Sequence, residues 1–381
     1  MRILHIITSL ETGGGQWVLT NLVKQLKLEG HEQYVISMKP KGELTPRISS
    51  EGISVEEISF SPISFIEGKT QCEKRISQFK PDIIQSWLYH ADFLTILLIN
   101  PNKTPILWGI HHSYEKKGNN KLKIVTKLLV HWNAIFSNII PRRIICCSMS
   151  ALQSHVKIGF EKTKMEVIEN GIDVDQFKPD PRSRVILRQE VGLHQNAKII
   201  GYIARYHPQK DHANFFKAAE ILLERVPDVH FVLAGNQVEK DNLQLIEYLK
   251  ASSCPSHFHF LGRRDDIPLI TSALDIATLA SSGDEAMPLT ILEAMASGVI
   301  CVATDVGDIR RVIGTNGIIV APQNPKALAD GWFKVLALDE SERRTLEHSC
   351  RELVQDKFTT KVMANRYIET YNEVLANESN V

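Results

Sequence analysis

The sequence predicts two α/β domains, each built on a doubly wound parallel sheet. Short runs rich in β-branched residues alternate with amphipathic helical stretches, as is typical of parallel strands joined by crossover helices. The chain has 381 residues, which is too long for one ordinary hydrophobic core. A turn-rich segment near 165–181 separates two series of strands. We therefore expect Rossmann-like domains over 1–175 and 176–359, facing each other across a cleft at the carboxyl ends of their strands.

The elements follow in order along the chain. Apolar and β-branched runs predict first-domain strands at 2–8, 33–38, 53–58, 82–85, 105–109 and 143–147. Apolar residues at helical spacing between the first two strands predict a helix over Gln16–Glu29. The second series predicts strands at 198–203, 229–234, 257–261, 274–279, 299–303 and 317–320. Helices are expected near 211–226, 241–250, 266–272, 288–297, 325–338, 341–356 and 359–376.

The composition is that of a soluble globular enzyme. Lys and Arg together number 44, as do Asp and Glu, so no net charge favours a nucleic-acid partner. The six cysteines lack the paired spacing and neighbouring histidines of a zinc site, which indicates buried thiols in a reducing compartment. Since no stretch reaches the about 18 apolar residues that span a bilayer, we expect a cytoplasmic protein.

Two glutamates, Glu285 and Glu293, lie on either side of Pro288. Loop-forming residues precede Pro288, and proline suits the first position of a helix. The N–H groups of Leu289 and Thr290, together with the helix dipole, would then favour a phosphate. Because carboxylates accept hydrogen bonds from sugar hydroxyls, the segment would suit a nucleoside diphosphate sugar. Taken alone, the pattern fits two surface glutamates at the start of a helix equally well.

Other candidate residues follow predicted strands. Gly14 and Gly15 follow the first strand, where a glycine turn lets the backbone approach a phosphate or sugar, although many such turns are only structural. Arg205 and Lys210 follow the first strand of the second series and would either neutralise a departing diphosphate or be solvated surface cations. His112, the second of two adjacent histidines, could bind a sugar hydroxyl or move a proton near neutral pH.

Taken in order, these motifs resemble those of the family-4 retaining glycosyltransferases, which have the two-domain GT-B fold and transfer a sugar from a nucleotide donor. One Glu-x₇-Glu pair would be a weak signal, but the ordered set is specific and covers nearly the whole chain. The matching segments are Gly13–Gly15, Leu26–His31, Asn170–Asp173, Phe177–Pro179, Arg205 with Lys210, Ala234–Gly235, Phe260–Gly262, Glu285 with Glu293, and Thr304–Gly307.

The resemblance implies a bacterial enzyme of cell-surface polysaccharide or lipopolysaccharide biosynthesis. Its first domain would bind a glycan or lipid-linked acceptor and be joined by the last helix, 360–381, while the second domain would bind the donor. No metal or cofactor is expected beyond the nucleoside diphosphate sugar, which is a co-substrate. The leaving phosphate would itself accept the proton of the acceptor, so that attack occurs on the face it leaves and the anomeric configuration is retained.

The resemblance also implies roles for single residues. Arg205 and Lys210 would bind the donor diphosphate, assisted by the N–H groups of Leu289 and Thr290. Glu285 would contact the transferred sugar. The other residues expected around the donor are Glu293 at the ribose, Arg263 near the base, His112 near the sugar, and Gly14, Gly15 and Met287.

The segment 102–143 is strongly basic. It carries eight basic side chains against one acid, Glu115. Its helical stretch, Lys121–Ile140, is expected to place apolar side chains on one face, namely Leu122, Val125, Leu129, Trp132, Phe136 and Ile139. We expect this segment to contact the anionic inner face of the plasma membrane, or its helix to be an ordinary core helix with solvated cations.

Three other functions fit parts of the pattern. A nucleotide-sugar epimerase or hydrolase of the same fold would consume the donor without an acceptor. A non-catalytic protein would bind the nucleotide sugar without turnover, although Glu285, Glu293, Arg205 and Lys210 are all present. A nicotinamide-dependent oxidoreductase is disfavoured because the glycine turn lacks the G-x-G-x-x-G spacing.

Overall fold

The computed structural model describes residues 1–61, 63–98, 103–114, 124–283 and 285–379. The chain forms two compact units: one runs to Gly171 and includes the residues from Thr360 onward, and the other is Ile172–Thr359. Within the second unit, the Ile172 N–H donates to the Phe358 carbonyl at 2.8 Å. Each unit contains one parallel sheet, so the predicted fold class is confirmed.

The sheet of the first unit has seven strands in the order β3-β2-β1-β4-β5-β6-β7. They are β1 (Arg2–Ile7), β2 (Glu32–Ser37), β3 (Ser54–Glu57), β4 (Ile83–Trp87), β5 (Ile106–Ile110), β6 (Arg143–Cys146) and β7 (Met165–Val167). The helices between or after them are α1 (Gly14–Leu28), α2 (Thr45–Ser50), α3 (Phe65–Phe79), α4 (Tyr89–Leu97), α5 (Ile124–Phe136) and α6 (Met149–Val156).

The sheet of the second unit has six strands in the order β10-β9-β8-β11-β12-β13. They are β8 (Lys198–Ile203), β9 (Val229–Ala234), β10 (Phe258–Gly262), β11 (Ile276–Leu279), β12 (Ile300–Thr304) and β13 (Gly317–Val320). The helices are α7 (Pro181–Glu190), α8 (His212–Leu223), α9 (Leu243–Ala251), α10 (Ile267–Ser272), α11 (Leu289–Ala296), α12 (Ile309–Ile313), α13 (Pro325–Leu336) and α14 (Glu340–Lys357).

Both sheets reverse their strand order beside their first strand. In the first unit the reversal falls between β1 and β4, and in the second between β8 and β11. Connections leave these neighbouring strands in opposite directions, so a crevice opens at their carboxyl ends, where doubly wound folds bind ligands. The residues that follow these four strands are therefore the candidates for function.

The last helix, α15 (Thr360–Ser379), belongs to the first unit. Its Tyr367 is fully buried and stacks on Trp87 of β4 with ring centroids 6.0 Å apart. Its Arg366 pairs with Glu169 at 2.5 Å. Packing of α15 thus completes the core of the first unit with residues from the far end of the chain.

Two parts of the turn-rich segment differ from expectation. Residues Met165–Val167 form the edge strand β7, which pairs with β6. Pro181 begins helix α7 behind Asp180, whose side chain accepts a hydrogen bond from the Arg182 N–H. Strand β7 is missed because three residues are too few to distinguish a strand from a loop by sequence pattern. The start of α7 is missed because a proline usually ends regular structure, whereas Pro181, behind the N-cap Asp180, begins a helix.

Helix α5 exposes part of its expected apolar face, so on that face it is not the ordinary core helix that was one of the two expectations. It buries Val130, Asn133 and Ala134, whereas the expected apolar face includes the exposed Val125 and Trp132. Part of the predicted basic segment lies outside the described residues, namely Glu115, Lys116, Lys117, Lys121, Leu122 and Lys123.

The six cysteines are free thiols, and all except Cys254 are buried. Among the described ranges, no helix is both long enough and apolar enough to cross a membrane.

A buried carboxylate ties the second unit together. The side chain of Asp275, just before β11, is inaccessible to solvent. Its carboxylate oxygens form ion pairs with guanidinium nitrogens of Arg188 at 2.7 Å, Arg184 at 3.0 Å and Arg343 at 3.1 Å. The Ile199 N–H donates to it at 2.9 Å. Burial alone would raise its pKa, but the bond from Ile199 and the surrounding cations outweigh burial, so the pKa of Asp275 lies below its ordinary value. The carboxylate thereby joins α7, α14, β8 and β11.

We expect Asp275→Asn to lower the free energy of unfolding of the second unit by about 3 to 5 kcal/mol, because Arg188 would keep a buried charge without its partner. Urea denaturation measures this change. The matched control is Asp330→Asn, which removes an exposed pair with Arg225 and should lower the free energy by less than about 1 kcal/mol. Equal losses in the two variants would contradict a structural role for Asp275.

Candidate active site

Lys210 and Glu285 meet at the carboxyl ends of β8 and β11. Lys210 closes the short 3₁₀ turn after β8, and its Nζ bonds directly to Oε1 of Glu285. The Ser281 hydroxyl donates to the same oxygen at 2.7 Å. Both charged side chains are largely buried. The structure thus brings together two of the predicted residues at the crevice of the second unit.

Hydrogen bonds from neighbouring strands hold the two loops in place. The Tyr202 hydroxyl of β8 donates to the Lys210 carbonyl. Thr304 at the end of β12 donates to the Ser281 carbonyl at 2.7 Å. Burial, assisted by the charge of Glu285, raises the pKa of Tyr202 well above its ordinary value, so its hydroxyl remains a donor. The position of the Lys210–Glu285 pair is therefore fixed by the sheet.

Gly307 packs against the backbone of the Glu285 loop. Its φ is +56°, and a Cβ atom at this position would lie 2.2 Å from the Glu285 carbonyl oxygen and 2.9 Å from that of Ala286. The neighbouring Asp308 N–H donates to the Ala286 carbonyl at 3.1 Å. Only glycine allows both this backbone conformation and this close approach.

The predicted anion site lies at the start of α11. The helix begins at Leu289, and Pro288 is its N-cap with φ −70° and ψ 123°, so the expected place of Pro288 as the first helical residue is wrong by one position. The N–H groups of Leu289 and Thr290 still fall in the first turn, where the helix offers them no acceptor. The Met287 side chain is buried in the hydrophobic core, which leaves only its backbone to face a ligand.

Glu293 lies one turn beyond Leu289 on the same helix. The residue is only partly buried, yet the burial of its carboxyl raises the pKa from 4.5 to about 7. In the part of the chain that the structure describes, no hydrogen-bond partner of this carboxyl occurs. The carboxyl therefore changes charge near neutral pH.

The remaining predicted cations lie along the same edge of the sheet. Arg205 is exposed just beyond β8, and Arg263 is exposed just beyond β10, two strands away. Between them, Gly235 at the end of β9 has φ +149°, and a Cβ there would lie 2.2 Å from the Ala204 carbonyl oxygen. The end of β9 at Gly235 is thus packed closely against the end of β8 at Ala204.

In the first unit the two predicted glycines begin α1 and differ in their surroundings. A Cβ on Gly15 would lie 3.2 Å from the Cβ of His111 and 3.5 Å from the Leu88 side chain. A Cβ on Gly14 would meet nothing within 4 Å. Gly15 is therefore needed for packing, whereas Gly14 leaves open space beside the backbone.

The two adjacent histidines follow β5 and are both neutral. His112 packs edge-on against Tyr89 at 4.4 Å, and burial lowers its pKa to about 4. His111 stacks on Trp87 at 4.8 Å, and burial together with His112 lowers its pKa to about 3. Of the two roles expected for His112, the lowered pKa favours binding a hydroxyl over moving a proton near neutral pH, because the neutral ring offers one donor and one acceptor.

Tyr89 connects His112 to two further elements. Its hydroxyl lies 2.5 Å from Nε2 of His155 on α6. Its carbonyl accepts a hydrogen bond from the Asn133 amide of α5 at 2.9 Å. Burial raises the pKa of Tyr89 well above its ordinary value, so the hydroxyl stays protonated. The position of His112 thus depends on α4, α5 and α6 together.

Two family models match the chain. Residues 12–176 match Glycosyltransferase Family 4, and residues 197–337 match Glycosyl transferases group 1. The chain is a family-4 glycosyltransferase. The two matches contain the first-unit residues Gly14 to His112 and the second-unit residues Arg205 to Glu293.

Curated relatives of the glycosyltransferase match over most of its length. The UDP-Gal:alpha-D-GlcNAc-diphosphoundecaprenol alpha-1,3-galactosyltransferase of Escherichia coli is 23% identical over 367 residues, with 93% of each chain covered. The phosphatidyl-myo-inositol mannosyltransferase of Mycobacterium tuberculosis is 25% identical over 319 residues, with 78% of each covered.

Solved structures confirm the GT-B fold of the glycosyltransferase. Anabaena Alr3699/HepE in complex with UDP has a TM-score of 0.85 and 20% sequence identity, with 98% of this chain and 100% of that chain covered. The sucrose-phosphate synthase of Thermosynechococcus elongatus has a TM-score of 0.81 and 16% identity, with 99% and 100% covered.

Sequence reasoning missed several residues around the sites of the glycosyltransferase. Tyr202 and Ser281 hold the Lys210–Glu285 pair, and Trp87, Tyr89 and His155 surround the two histidines. Of these residues, only Tyr89 could have been predicted from the sequence, because it follows the buried strand β4 at the point where the strand order of the sheet reverses. Among the described residues, no group of three His, Cys, Asp or Glu side chains is placed to hold a metal ion.

We expect Gly307→Ala to lower the donor turnover of the glycosyltransferase at least about tenfold, because its Cβ would displace the Glu285 backbone and small misplacements are costly in catalysis. Steady-state kinetics measures this loss. Gly314→Ala is the matched control, since Gly314 has φ +59° but open space around its Cβ position. A similar loss in both variants would assign the effect to backbone strain instead of the contact with Glu285.

We expect Glu293→Gln to stabilise the glycosyltransferase more at pH 8 than at pH 5. Between pH 4.5 and about 7 the folded carboxyl holds a proton that the unfolded chain has released, so wild-type stability falls as pH rises through this window. Glutamine does not titrate, so the free energy of unfolding of Glu293→Gln relative to wild type should increase by about 2 kcal/mol across the window.

Urea denaturation of wild type and Glu293→Gln at pH 5 and pH 8 measures how much the difference in their free energies of unfolding increases. The exposed Glu224 of the same unit serves as control, and Glu224→Gln should change little at either pH. An unchanged difference between wild type and Glu293→Gln would show that the carboxyl titrates in its ordinary range.

Proposed function

We propose that this glycosyltransferase moves a sugar from a nucleoside diphosphate sugar to a glycan or lipid-linked acceptor, with retention of the anomeric configuration. The observation that carries the proposal is the Lys210–Glu285 pair at the β8–β11 crevice, beside the amino terminus of α11. A cation, a carboxylate and unpaired helix N–H groups are what a diphosphate joined to a sugar requires.

The charges suit donor cleavage. Lys210 and Arg205 would stabilise the negative charge that develops on the departing diphosphate, assisted by the N–H groups of Leu289 and Thr290. Glu285, already held by Lys210 and Ser281, would accept hydrogen bonds from the transferred sugar. Glu293 would do the same for the ribose hydroxyls, and Arg263 would lie near the base.

The reaction forms a bond between the acceptor oxygen and the anomeric carbon while the bond from that carbon to the phosphate oxygen breaks. The acceptor proton passes to the departing phosphate oxygen, so that neither a protein nucleophile nor a metal is required. Attack on the face that the phosphate leaves gives retention. His112, which is neutral because of burial, would bind a sugar hydroxyl without carrying the proton.

The acceptor proposal rests on the relatives. The Escherichia coli relative is named for a diphosphoundecaprenol acceptor and the mycobacterial relative for phosphatidyl-myo-inositol, and both acceptors are lipids. We infer a role in cell-surface polysaccharide or glycolipid biosynthesis. The first unit would bind the acceptor, and the enzyme would act in the cytoplasm at the inner face of the membrane.

We expect Lys210→Ala and Glu285→Gln each to lower kcat by about 10²- to 10³-fold, the loss seen when one group that stabilises the transition state is removed. Nucleoside diphosphate release, measured with a panel of nucleotide sugars and acceptors, gives kcat. Lys217→Ala, at an exposed position on α8, is the matched control and should retain full activity. Full activity in both site variants would remove the proposed site.

The same assay separates the alternatives. Consumption of the donor without acceptor indicates an epimerase or hydrolase, and binding of the donor without turnover indicates a non-catalytic protein. The anomeric configuration of the product, read by NMR, decides between retention and inversion.

A further inference from the structure

Helix α5 has two apolar faces, and only one of them is used in folding. The buried face holds Val130 and Ala134 and packs on α4. On this face the Asn133 amide donates to the Tyr89 carbonyl of α4 at 2.9 Å. The orientation of α5 about its axis is therefore fixed by the core of the first unit.

The other face exposes large apolar side chains to solvent. They are Ile124 (78% exposed), Val125 (63%), Leu128 (58%), Trp132 (49%) and Ile135 (63%), and together they form the apolar stripe of α5. At 3.6 residues per turn these five positions fall within an arc of about 100°. A contiguous apolar patch of this kind on a soluble surface marks an interaction site.

The charge around the apolar stripe is positive. Lys127 and His131 are exposed along one side of it. The sequence contains neither Asp nor Glu from residue 124 to residue 160. An apolar stripe bordered by the Lys127 cation, with no carboxylate in the segment that follows, matches the boundary of an anionic bilayer, where apolar side chains enter the acyl region and cations meet the headgroups.

We propose that the apolar stripe of α5 enters the headgroup–acyl boundary of a bilayer containing anionic lipids and docks the first unit on the membrane. The proposal deepens the proposed function, since it rests on a lipid-linked acceptor. It narrows the expectation drawn from residues 102–143, because the contact is made by the apolar stripe of α5 and Lys127 borders it.

Helix α5 is also connected to the residues at the end of β5. Through Asn133, α5 contacts Tyr89, and Tyr89 packs on His112 at 4.4 Å. A docked stripe therefore holds the end of β5 at a fixed distance from the bilayer surface. An acceptor carried on a membrane lipid would then meet the first unit at the bilayer surface.

Vesicle sedimentation with the full chain tests the proposal. We expect wild type to bind vesicles of phosphatidylglycerol and phosphatidylcholine more strongly than vesicles of phosphatidylcholine alone. The double variant Leu128→Ser/Ile135→Ser should lower the partition coefficient at least about tenfold, because two apolar side chains no longer leave water. Leu243→Ser, at a position 76% exposed on α9 of the other unit, is the matched control and should bind as wild type.

Tryptophan fluorescence gives a second readout. Trp87, Trp108 and Trp332 are fully buried, whereas Trp132 lies in the stripe. A blue shift of emission on addition of anionic vesicles is expected, and Trp132→Phe should remove the shift while binding persists.

Two outcomes overturn the proposal. One is equal binding of wild type and the double variant to anionic vesicles. The other is self-association of wild type without vesicles that the double variant abolishes, which would make the stripe an interface between copies of the chain. Turnover of a water-soluble acceptor should be unchanged in the double variant. Vesicle binding without turnover of any donor would overturn the proposed function and leave the docking proposal standing.

Discussion

The candidate active-site residues of the second unit depend on one constraint of the doubly wound sheet, the reversal of strand order beside its first strand. Since connections leave β8 and β11 in opposite directions, the loops after these strands are free to approach each other. The Lys210–Glu285 bond joins the two loops, and Tyr202, Ser281 and Gly307 fit around it. The topology of the sheet thus brings the two loops together, and the chemistry of Lys210 and Glu285 then joins them.

The two units present different electrostatic environments at their strand ends. In the second unit Lys210 and Glu285 form an ion pair under partial burial. In the first unit burial without a charged partner leaves His111 and His112 neutral. A charged crevice suits a diphosphate, and a neutral aromatic one suits sugar hydroxyls and rings. The contrast supports assigning the donor to the second unit.

The fold was largely predictable from the sequence because its signals are local. Strands such as β1 and β12 are mostly apolar runs, and Glu285 and Glu293 flank a proline that marks a helix start. The parts that were not predictable depend on contacts between distant residues. The burial that makes His112 neutral comes from α4 and α6, and the close approach of Gly307 to Glu285 exists only after β11 and β12 have paired. Two residues of the exposed stripe of α5, Val125 and Trp132, belong to the apolar face expected from the sequence, but periodicity does not say which apolar face of a helix is buried.

The return of α15 to the first unit has a consequence for biosynthesis. Trp87 is made early, whereas Tyr367, which stacks on it, is made only after the whole second unit. The first unit therefore emerges from the ribosome with an incomplete core, and the second unit can fold before the first is finished, contrary to the usual order of synthesis. Until residues 360–379 are made, an apolar surface of the first unit is uncovered, and nascent chains stopped before α15 would be targets for chaperones and proteases.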